Sequence, residues 1–478
     1  MTVSEKPKAN PPQEVSGTPG ARPVVTPEEL LAKTKKPAAD AMRLHPFYRG
    51  KIQTALRARV ESFEDFAIWY TPGVAAPCRA IAEEPDLVYE HTSKWNTVAV
   101  ISDGTRVLGL GDIGPKAGLP VMEGKALLFK YLGGVDAVPI TLGTKDPDAI
   151  IETVLMLQPA FGGVNLEDIA QPKCFRILDT LREKAEIPVW HDDQQGTAAV
   201  LLAGLINALK VVGKRLEDAR LVFVGAGAAG IACARLCFAY GADPANAIMV
   251  DVDGILGKHR DDIYRRRAEY IQQWRMCQIT NREEIRGGIP EAMKGSDVVI
   301  ALSKPGPGTI LPEWVRTMAK DPIVFAMANP IPEIWPWEAQ EAGAAVVATG
   351  RSDFPNQVNN SLGFPAIFRG TLDVRARTIT DEMAIAASLE MAAMAEEKGL
   401  RPDYILPTMD EWEVFPRQAA AVAVKAVEQG LARFKTTYDE ELERASALIK
   451  AAREMTDLLQ REGFIPEKPA DEEEGSNA

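Results

Sequence analysis

A repeated alternation of short apolar segments with helical ones constrains this fold more than any other feature. From Ala137 the segments AVPITLG, GGVNLED and IPVWHDD are separated by helical stretches, and from Arg220 a second series runs through RLVFVG, AIMVDVDG, DVVIAL, IVFAMANP and AAVVATG. Strands this apolar are usually covered on both faces, and their alternation with helices favours parallel sheets. The chain is therefore predicted to be an α/β protein with an N-terminal α/β domain and a second, doubly wound domain.

Domain limits follow from changes in composition along the chain. Residues 1–25 are rich in Pro, Gly, Ser and Thr, and residues 467–478 contain an acidic run, so both ends are predicted to be disordered. The first domain is predicted over 26–198 and the doubly wound domain over 199–390. The stretch 391–466 is rich in Ala, Glu, Leu and Met, which predicts C-terminal helices.

The charge balance limits the kind of partner. A net charge of −13 and a pI near 5.1 argue against binding to nucleic acid or anionic membranes, so a small-molecule substrate is expected. No apolar run of about 18 residues and no signal-peptide order are visible, which predicts a cytoplasmic protein. The five cysteines include no CxxC, and Cys233 and Cys237 are predicted to be buried on one helix face.

Two local predictions concern the first domain. The segments TVAVI and RVLGLG flank Ser102-Asp103-Gly104-Thr105, and Asp-Gly supplies the positive φ of a tight turn, which predicts a β-hairpin. Apolar residues at helical spacing then predict a helix over 123–132. This boundary would put Lys125 in the first turn of that helix.

A glycine-rich turn gives the second domain its first chemical assignment. Gly225-Ala226-Gly227-Ala228-Ala229-Gly230 follows the apolar run LVFV and opens a helical stretch, and Asp251 ends the next strand. Glycines in this context let the backbone approach a pyrophosphate at a helix N-terminus. Without that context the glycines would indicate only a tight turn. We predict a Rossmann-type dinucleotide site, with cofactor contacts at Gly225, Gly227, Ala228, Ala229, Gly230 and Asp251.

The choice between NAD and NADP depends on the surroundings of Asp251. An acid at this position binds the ribose hydroxyls of NAD and repels a 2′-phosphate. Lys258, His259 and Arg260 lie close enough in sequence to neutralise the acid or to grip such a phosphate, although basic loops are also often solvated surface. NAD is expected, and NADP stays open.

Two pairs of adjacent carboxylates follow strands of the first series. They are Glu167-Asp168 and Asp192-Asp193, and ligands of parallel sheets lie beyond the carboxyl ends of the strands. Carboxylates without Cys or His partners suit Mg²⁺ or Mn²⁺ rather than zinc. The alternative for either pair is a helix N-cap or a solvated charge. Adjacent strand residues point to opposite faces, so two members of a pair can have different roles.

Several longer blocks carry a family resemblance. They are YTPGVA from Tyr70, SDGTRVLGLGDIGPKAGLPVMEGKALLFK, VNLEDIAQPKCF, HDDQQGTAAV, AMANPIPEI and RSDFPNQVNNSLGFPAIFRG. In this order, over about residues 40–390, they resemble the malic enzyme family in its shorter, prokaryotic form. The resemblance implies oxidative decarboxylation of L-malate to pyruvate and CO₂, reduction of NAD(P), a divalent metal and a homo-oligomer, a dimer or higher.

The resemblance also implies roles for individual residues. Tyr70 is the general acid, Lys125 the general base, and Asp192 supports the lysine. The remaining implied roles are metal binding by Glu167, Asp168 and Asp193, and binding of substrate carboxylates or nearby cofactor groups by Asn329 and by Asn359 or Asn360. Arg106 matches a substrate-binding arginine of the longer family members, which short forms often lack.

The implied chemistry agrees with the residue types. A lysine base must be neutral, and a helix N-terminus would disfavour the ammonium of Lys125. Tyr70 stands before Thr-Pro-Gly, which predicts a loop-borne side chain able to donate a proton. His191 is not needed as a base, because the lysine and the tyrosine account for the proton transfers. Two alternatives stay open: a malolactic-type enzyme that releases lactate with bound NAD, and a non-catalytic nucleotide sensor.

Overall fold

A computed structural model describes residues 27–469, with side chains from residue 36. These residues form two units, 27–51 with 468–469 and 52–467. In the first unit, helix α1 (Pro27–Tyr48) carries Arg43, whose Nη1 donates to the carbonyl of Pro469 at 2.7 Å. The disordered arm predicted over 1–25 and residues 470–478 of the predicted tail lie outside the described residues.

Residues 52–467 contain two sheets and the helices that cover them. The strands are β1 (Thr97–Ser102), β2 (Asp136–Thr141), β3 (Gly163–Leu166), β4 (Val189–His191), β5 (Leu221–Val224), β6 (Ile248–Asp251), β7 (Gly254–Ile255), β8 (Val298–Ala301), β9 (Ile323–Ala326) and β10 (Val346–Thr349). The first-half helices are α2 (Glu64–Trp69), α3 (Ala75–Glu83), α4 (Val88–His91), α5 (Pro115–Gly133), α6 (Pro147–Leu157), α7 (Lys173–Lys184) and α8 (Thr197–Val212). The later helices are α9 (Ala228–Tyr240), α10 (Asp261–Arg265), α11 (Ile271–Ile279), α12 (Ile289–Met293), α13 (Pro312–Val315), α14 (Pro336–Glu341), α15 (Phe364–Asp373), α16 (Asp381–Glu397), α17 (Val414–Glu428) and α18 (Tyr438–Arg461).

The first sheet has the strand order β2-β1-β3-β4 and is parallel throughout. The predicted hairpin is therefore wrong. β1 pairs in parallel with β2 and β3, and the segment RVLGLG contributes only an isolated bridge between Val107 and Gly111. The reason is burial: β1 is buried along nearly its whole length, as expected of an inner strand in a parallel sheet that helices cover on both faces, and its two edges pair with β2 and β3.

The second sheet has the order β10-β9-β8-β5-β6-β7, and all pairs are parallel except β6 with β7. This arrangement confirms the predicted doubly wound domain. β5, at the start of the glycine turn, pairs with both β6 and β8. The topology therefore puts the glycine turn between the ends of two neighbouring strands, where such sheets bind their ligands.

Helix α5 begins earlier than the sequence predicts. It starts at Pro115, where proline suits the first helical position, and Lys125 lies ten residues further along. Gly118, Pro120 and Gly124 weaken the helical pattern of this stretch, so periodicity alone detected only its second half. The prediction that Lys125 occupies the first turn is wrong.

The interior is formed largely by helices that pack between the sheets. The stretch Asp192–Val212 is, among the described residues, the one helix long and apolar enough to cross a membrane by length and composition, which corrects the prediction that no such run exists. Its most apolar window is 67% buried inside the protein, as expected for a core helix. Cys233 and Cys237 are both buried on α9, which confirms their prediction, and α16, α17 and α18 confirm the helical C-terminal stretch.

Candidate active site

Two pairs of carboxylates meet at one edge of the first sheet. β3 and β4 are parallel neighbours whose last residues, Leu166 and His191, are in register. Glu167-Asp168 and Asp192-Asp193 follow directly. Oxygen atoms of Glu167, Asp168 and Asp193 all lie within 4.8 Å of one another. The topology of a parallel sheet therefore brings together three carboxylates that are 26 residues apart at their extremes, from position 167 to position 193.

The backbone holds this three-carboxylate cluster in a defined shape. Asp168 has a φ of 55°, in the left-handed region that Asp adopts more readily than most residues. Its N–H donates to Asp193 Oδ2 at 2.7 Å, and its Oδ1 accepts a long bond of 3.4 Å from the N–H of Leu108. Asp168 Oδ2 is buried and accepts no hydrogen bond from the described residues. One acceptor of the cluster is therefore left for a ligand.

The carboxylates of the cluster carry like charges that repel one another. Burial raises the pKa of Glu167 and Asp193, and it raises the pKa of Asp168 to about 8, with the charge of Asp193 adding to the shift at Asp168. Two buried carboxylates and the half-buried Asp193, with one unpartnered oxygen among them, suit a hard divalent cation that prefers oxygen ligands. These residues therefore fit the predicted Mg²⁺ or Mn²⁺.

Lys125 lies beside the cluster and is 7% exposed. Its Nζ is 2.7 Å from Asp192 Oδ2, 3.0 Å from Glu167 Oε1 and 4.5 Å from the centre of the Phe364 ring. Burial lowers its pKa, but the charges of Asp192 and Glu167 outweigh burial, so the pKa of Lys125 is raised. The expected helix-dipole effect is absent because Lys125 lies in the middle of α5, which corrects that part of the sequence argument.

Asp192 and Asp193 face different partners. Asp192 is fully buried and accepts from Lys125 on Oδ2 and from the indole of Trp190 on Oδ1 at 3.1 Å, whereas Asp193 contacts Asp168. The two residues begin a π-helical turn, Asp192–Gly196, a type that is frequent at functional sites. A Cβ at Gly196 would lie 1.9 Å from Asp192 Oδ1, so glycine is required for this turn.

Sequence reasoning missed the residues that support the carboxylates. Asn165 Nδ2 donates to Glu167 Oε2 at 2.8 Å, in the same way that Trp190 donates to Asp192. Each supporting residue stands two positions before its carboxylate, and residues two apart in a strand share a face. This spacing was a usable signal. His191 is buried without a hydrogen bond to its ring from any described residue, and burial lowers its pKa to about 4, so its imidazole is neutral.

No hydrogen bond links the side chain of Tyr70 to this cluster among the described residues. Tyr70 follows α2, its side chain is 74% exposed, and its hydroxyl makes no hydrogen bond to any residue in the described range. Its surroundings are also exposed and apolar. We define the exposed apolar segment as residues 56–70, with Leu56 84% exposed, Phe63 90% and Trp69 52%. A patch of this kind on a folded protein usually marks a contact surface.

Arg106 and Asn329 lie in loops that follow strands of the first and second sheet, respectively. Arg106 is exposed, its N–H donates to the carbonyl of Asp168 at 3.0 Å, and its guanidinium forms no ion pair with a described residue. Asn329 follows β9 and is also exposed. A Cβ at Gly109 would lie 2.8 Å from the carbonyl oxygen of Asn329, so the loop after β1 touches the loop after β9. The edges of the two sheets therefore face each other.

Asn359 and Asn360, left as alternatives by the sequence, have different environments. Asn359 Oδ1 accepts the N–H of Ser361 at 3.0 Å and caps the short helix Asn360–Leu362. The side chain of Asn360 forms no hydrogen bond with the described residues. Its Cβ would be 3.3 Å from a Cβ placed on Gly196, beside Asp192. Asn360 is therefore the one of the two that lies beside Asp192 without serving as a helix cap.

The glycine turn has the geometry of a phosphate cradle. Gly225 has a φ of 115°, and a Cβ at Gly230 would meet the carbonyl oxygen of Gly225 at 1.8 Å. Gly227 precedes α9, which begins at Ala228 and Ala229, and a Cβ on Gly227 would meet nothing within 4 Å. The first and third glycines are required by the fold, and the second faces open space at a helix N-terminus. This cradle fits a dinucleotide pyrophosphate.

A buried carboxylate that the sequence did not single out joins two loops at this edge. Glu333 is fully buried, and it accepts from the N–H of Ser303 at 2.8 Å and from the N–H of Ala328 at 3.0 Å. Ser303 follows β8 and Ala328 follows β9. Glu333 therefore fixes both loops, including the one that carries Asn329.

The fold and these two sites define the class of α/β proteins with a doubly wound dinucleotide-binding domain, here combined with a lysine-linked acidic cluster. Comparison with protein families narrows the class. The family model for the malic enzyme N-terminal domain matches residues 49–182, and that for the malic enzyme NAD-binding domain matches residues 194–429. The chain belongs to the malic enzyme family.

Individual relatives agree with this membership. The chain is 48% identical over 411 residues to the bifunctional malic/malolactic enzyme of Bacillus subtilis, covering 86% of this chain and 98% of that protein. It is 52% identical over 384 residues to the NAD-dependent malic enzyme of Geobacillus stearothermophilus, covering 80% and 78%. The crystal structure of Entamoeba histolytica malic enzyme is similar with a TM-score of 0.90 and 50% identity, covering 94% of this chain and 93% of that one.

Proposed function

We propose that this protein oxidises and decarboxylates L-malate to pyruvate and CO₂ while NAD(P) is reduced. The observation that carries the proposal is the buried Lys125, held by Asp192 and Glu167 next to three carboxylates that share one space. A base beside an oxygen-ligand cation site is what removal of a proton from a 2-hydroxy acid requires. We assign this substrate and metal side to residues 26–198 and the dinucleotide side to residues 199–390.

The chain's residues divide the reaction between them. Glu167, Asp168 and Asp193 would hold Mg²⁺ or Mn²⁺, and the glycine cradle with Asp251 would hold NAD, with NADP as the less favoured cofactor. When bound, the cation supplies Lewis acidity at the malate C2 oxygen and the dinucleotide accepts the hydride from C2. Lys125 takes the proton of the C2 hydroxyl. Asp192, fixed by Trp190, orients the lysine for that transfer.

Lys125 must lose its proton before it can act as a base. In the described structure its ammonium is stabilised by Asp192 and Glu167. A cation bound in the three-carboxylate cluster would neutralise the charge of Glu167 and so disfavour the ammonium form of Lys125. Binding of the cation and activation of the lysine are therefore coupled. This coupling is why the metal ligands and the base share Glu167.

Substrate carboxylates need donors near the cluster. Asn329, Asn360 and Arg106 have side chains without a partner in the described part of the chain and lie where the two sheet edges face each other. Asparagine amides donate hydrogen bonds without adding a charge that would retain CO₂. We assign carboxylate binding to Asn329 and Asn360, with Arg106 as a further contact and Asn359 as a cap.

The proton delivered to C3 after decarboxylation is assigned to Tyr70. Its exposure supports a further proposal, that the protein is a homo-oligomer, a dimer or higher, in which a second copy covers the exposed apolar segment. The surroundings of Tyr70 would then differ from those in the single chain. A cytoplasmic location is also proposed, supported by five cysteines that are all free.

A second activity is favoured by one observation. The relative from Bacillus subtilis is named a bifunctional malic/malolactic enzyme and is 48% identical. A malolactic reaction would use the same site, with the reduced cofactor kept bound and lactate released.

A cofactor-by-metal activity matrix with malate tests the proposed function. Malate is incubated with NAD or NADP and with Mg²⁺, Mn²⁺ or EDTA, and reduced cofactor, pyruvate and lactate are measured. Equal amounts of reduced cofactor and pyruvate, only with a divalent metal, are expected. Lactate without accumulating reduced cofactor would identify the malolactic reaction. No turnover with any combination of cofactor and metal would leave the non-catalytic nucleotide sensor as the remaining alternative.

Asp193→Ala is the sharpest single change to the cluster. Turnover of malate should fall at least about a hundredfold, the loss that even outer partners of a metal site cause, because a proposed ligand and the acceptor for the Asp168 N–H are both removed. Dinucleotide affinity, measured by calorimetry, should change less than about threefold, since Asp193 lies on the other sheet. Asp148→Ala removes an exposed carboxylate paired with Arg176 and should leave turnover unchanged. Metal-independent turnover by the Asp193 variant would rule out the proposed site.

A further inference from the structure

Asp251, the last residue of β6, is held by an arginine nine positions later. Arg260 Nη1 donates to Asp251 Oδ1 at 2.8 Å, and Nη2 donates to Oδ2 at 2.9 Å, which is a bidentate pair. The N–H of Asp253 also donates to Oδ1 at 2.9 Å. Three of the roughly four lone-pair directions of this carboxylate are therefore used, and the carboxylate can point in only one way.

The other donors of Arg260 are also occupied. Nε donates to Asp262 Oδ1 at 2.9 Å, Nη2 to Asp262 Oδ2 at 2.7 Å, and Nη1 to the carbonyl of Gly254 at 3.2 Å. A guanidinium has five N–H donors, and all five are used here. Arg260 is 7% exposed. An arginine in this state has no free pair of donors with which to grip a phosphate.

The charges around Arg260 also argue against binding of a 2′-phosphate. The guanidinium of Arg260 faces Asp251 and Asp262, and its Nη2 is 3.8 Å from Asp253. One positive charge therefore meets three carboxylates. Counting the exposed Lys258 as well would give two positive charges against three negative ones. A dianionic 2′-phosphate would enter a region of net negative charge, whereas an uncharged ribose diol would not.

We infer that Arg260 is a positioning residue for nucleotide choice, which locks Asp251 as an acceptor for the adenosine ribose diol and so favours NAD over NADP. The basic loop that could have bound a 2′-phosphate instead supports the residue that excludes it. This inference rests on the proposed function only in taking the glycine cradle as the dinucleotide site, and it predicts binding as well as turnover.

Direct binding of NADH and NADPH to the full chain tests this role. Asp251→Ala removes the diol acceptor and frees two donors of Arg260, which stays paired with Asp262. NADH affinity should fall at least tenfold and NADPH affinity should rise, so that the ratio of the two dissociation constants inverts. Adding Arg260→Met to this variant should remove the gain for NADPH. If the double variant still binds NADPH more tightly than the parent does, Arg260 is not the source of that gain.

Arg260→Lys supplies the conservative comparison, because it keeps the charge and loses the fork. NADH affinity should fall about tenfold with a smaller change for NADPH. Arg282→Met is the matched control, an exposed arginine of the same domain paired with Asp243, and should bind both nucleotides as the parent does. Parental nucleotide ratios in both Asp251→Ala and Arg260→Lys would overturn the inference.

The same measurements separate this inference from the proposed function. Inverted nucleotide ratios without malate turnover under any metal would support the role of Arg260 and refute malic enzyme activity. Malate turnover with unchanged nucleotide ratios would support the activity and refute the role of Arg260. If Arg260→Lys does not fold, the Asp251→Ala variant and the double variant still test the role of Arg260 in nucleotide choice, since both variants retain Asp262 in this loop.

Discussion

Lys125 is a buried cation whose two partners, Asp192 and Glu167, are carboxylates at the strand ends of the first sheet. It lies 67 residues from Asp192 in sequence, and the pair is 2.7 Å apart in space. Removing one partner of a buried ion pair leaves an uncompensated charge, which typically costs about 3–5 kcal/mol. The stability of this edge should therefore depend on whether a positive charge is present, and not only on the lysine that supplies it here.

Lys125→Met should lower the free energy of unfolding by about 3 kcal/mol in EDTA, because Asp192 and Glu167 lose their counter-charge. Mn²⁺ should restore more stability to this variant than to the parent, since the cation replaces the lost charge. Thermal unfolding with and without Mn²⁺ measures both effects, and malate turnover should be lost in either condition. The prediction fails if Mn²⁺ stabilises both proteins equally.

Lys130→Met is the matched control on the same helix. Its ammonium is 2.7 Å from Asp136 with 30% of the side chain exposed, so its loss should cost less than about 1 kcal/mol and should not respond to Mn²⁺.

At the residue scale the adjacent pairs 167–168 and 192–193 were visible as strand ends. The pairing of Lys125 with Asp192 was implied by the family resemblance alone, because residue spacing within a helix gives no distance to another element. The second partner of Lys125, Glu167, was not predicted. The wrong position of Lys125 in its helix also gave the wrong electrostatic argument, since the pKa of Lys125 is set by Asp192 and Glu167 and not by a helix terminus.

Helix α18 contains a buried carboxyl that faces α15. Glu441 is fully buried, and burial raises its pKa to about 9, with the charge of Asp373 adding to the shift. Arg444 and Arg369 oppose the shift without removing it. The folded chain therefore keeps Glu441 protonated at pH values where the unfolded chain, with its usual pKa near 4.5, has lost the proton.

This difference makes stability depend on pH. The contribution of Glu441 is fully present below about pH 4.5 and is lost progressively as the pH rises towards 9, because the folded state binds the extra proton. Glu441→Gln keeps a neutral donor and should be more stable than the parent by about 1–3 kcal/mol at pH 8.5, with little difference at pH 5. Urea unfolding at the two pH values measures the effect.

Glu443→Gln is the control for that experiment, because Glu443 is exposed on the same helix. It should leave the pH dependence unchanged. Equal pH dependence of the parent and the Glu441 variant would mean that Glu441 ionises normally in the folded protein.

Elements were predicted well where strands and helices alternate and poorly at the turn after β1. Ile101 and its neighbours in β1 are buried on both faces, and local pairing with RVLGLG could not cover them. Asp103-Gly104 gives a turn, but the chain leaves the sheet there to form part of the site. Turn chemistry specifies the bend and not the partner strand, which is decided by long-range burial.

At the scale of the whole molecule, the exposed apolar segment, residues 56–70, exposes several large apolar side chains close together in sequence. Phe63→Lys should weaken self-association, measured by sedimentation velocity across concentrations, because the 90% exposed ring would be buried only by a second copy. The folded single chain should keep its stability. Malate turnover per chain should fall together with the assembled fraction, since Tyr70 belongs to the same segment.

Phe464→Lys is the matched control, with a 72% exposed ring outside that segment. It should change neither association nor turnover. A Phe63 variant that associates as the parent does would show that the exposed apolar segment is not the contact surface.

At the scale of the whole chain, the sequence predicted the fold class and the family, because strand alternation and the glycine turn are local patterns. It did not predict that the side chain of Tyr70 is 74% exposed in the single chain. A sequence motif can indicate that a residue takes part in the reaction, but it does not indicate from which surface of the protein that residue reaches the site. Similarly, three basic residues after Asp251 looked alike in sequence, although Arg260 alone is buried among carboxylates.

Gly109 meets the loop of Asn329 with no side chain between them. A Cβ there would stand 2.8 Å from the Asn329 carbonyl oxygen and 3.3 Å from the ring of Pro305. The loop after β1 and the loop after β9 can therefore come this close only because position 109 has no side chain. A single methyl group there would act as a wedge that moves Arg106, on one loop, away from Asn329, on the other, while each residue kept its place on its own strand end.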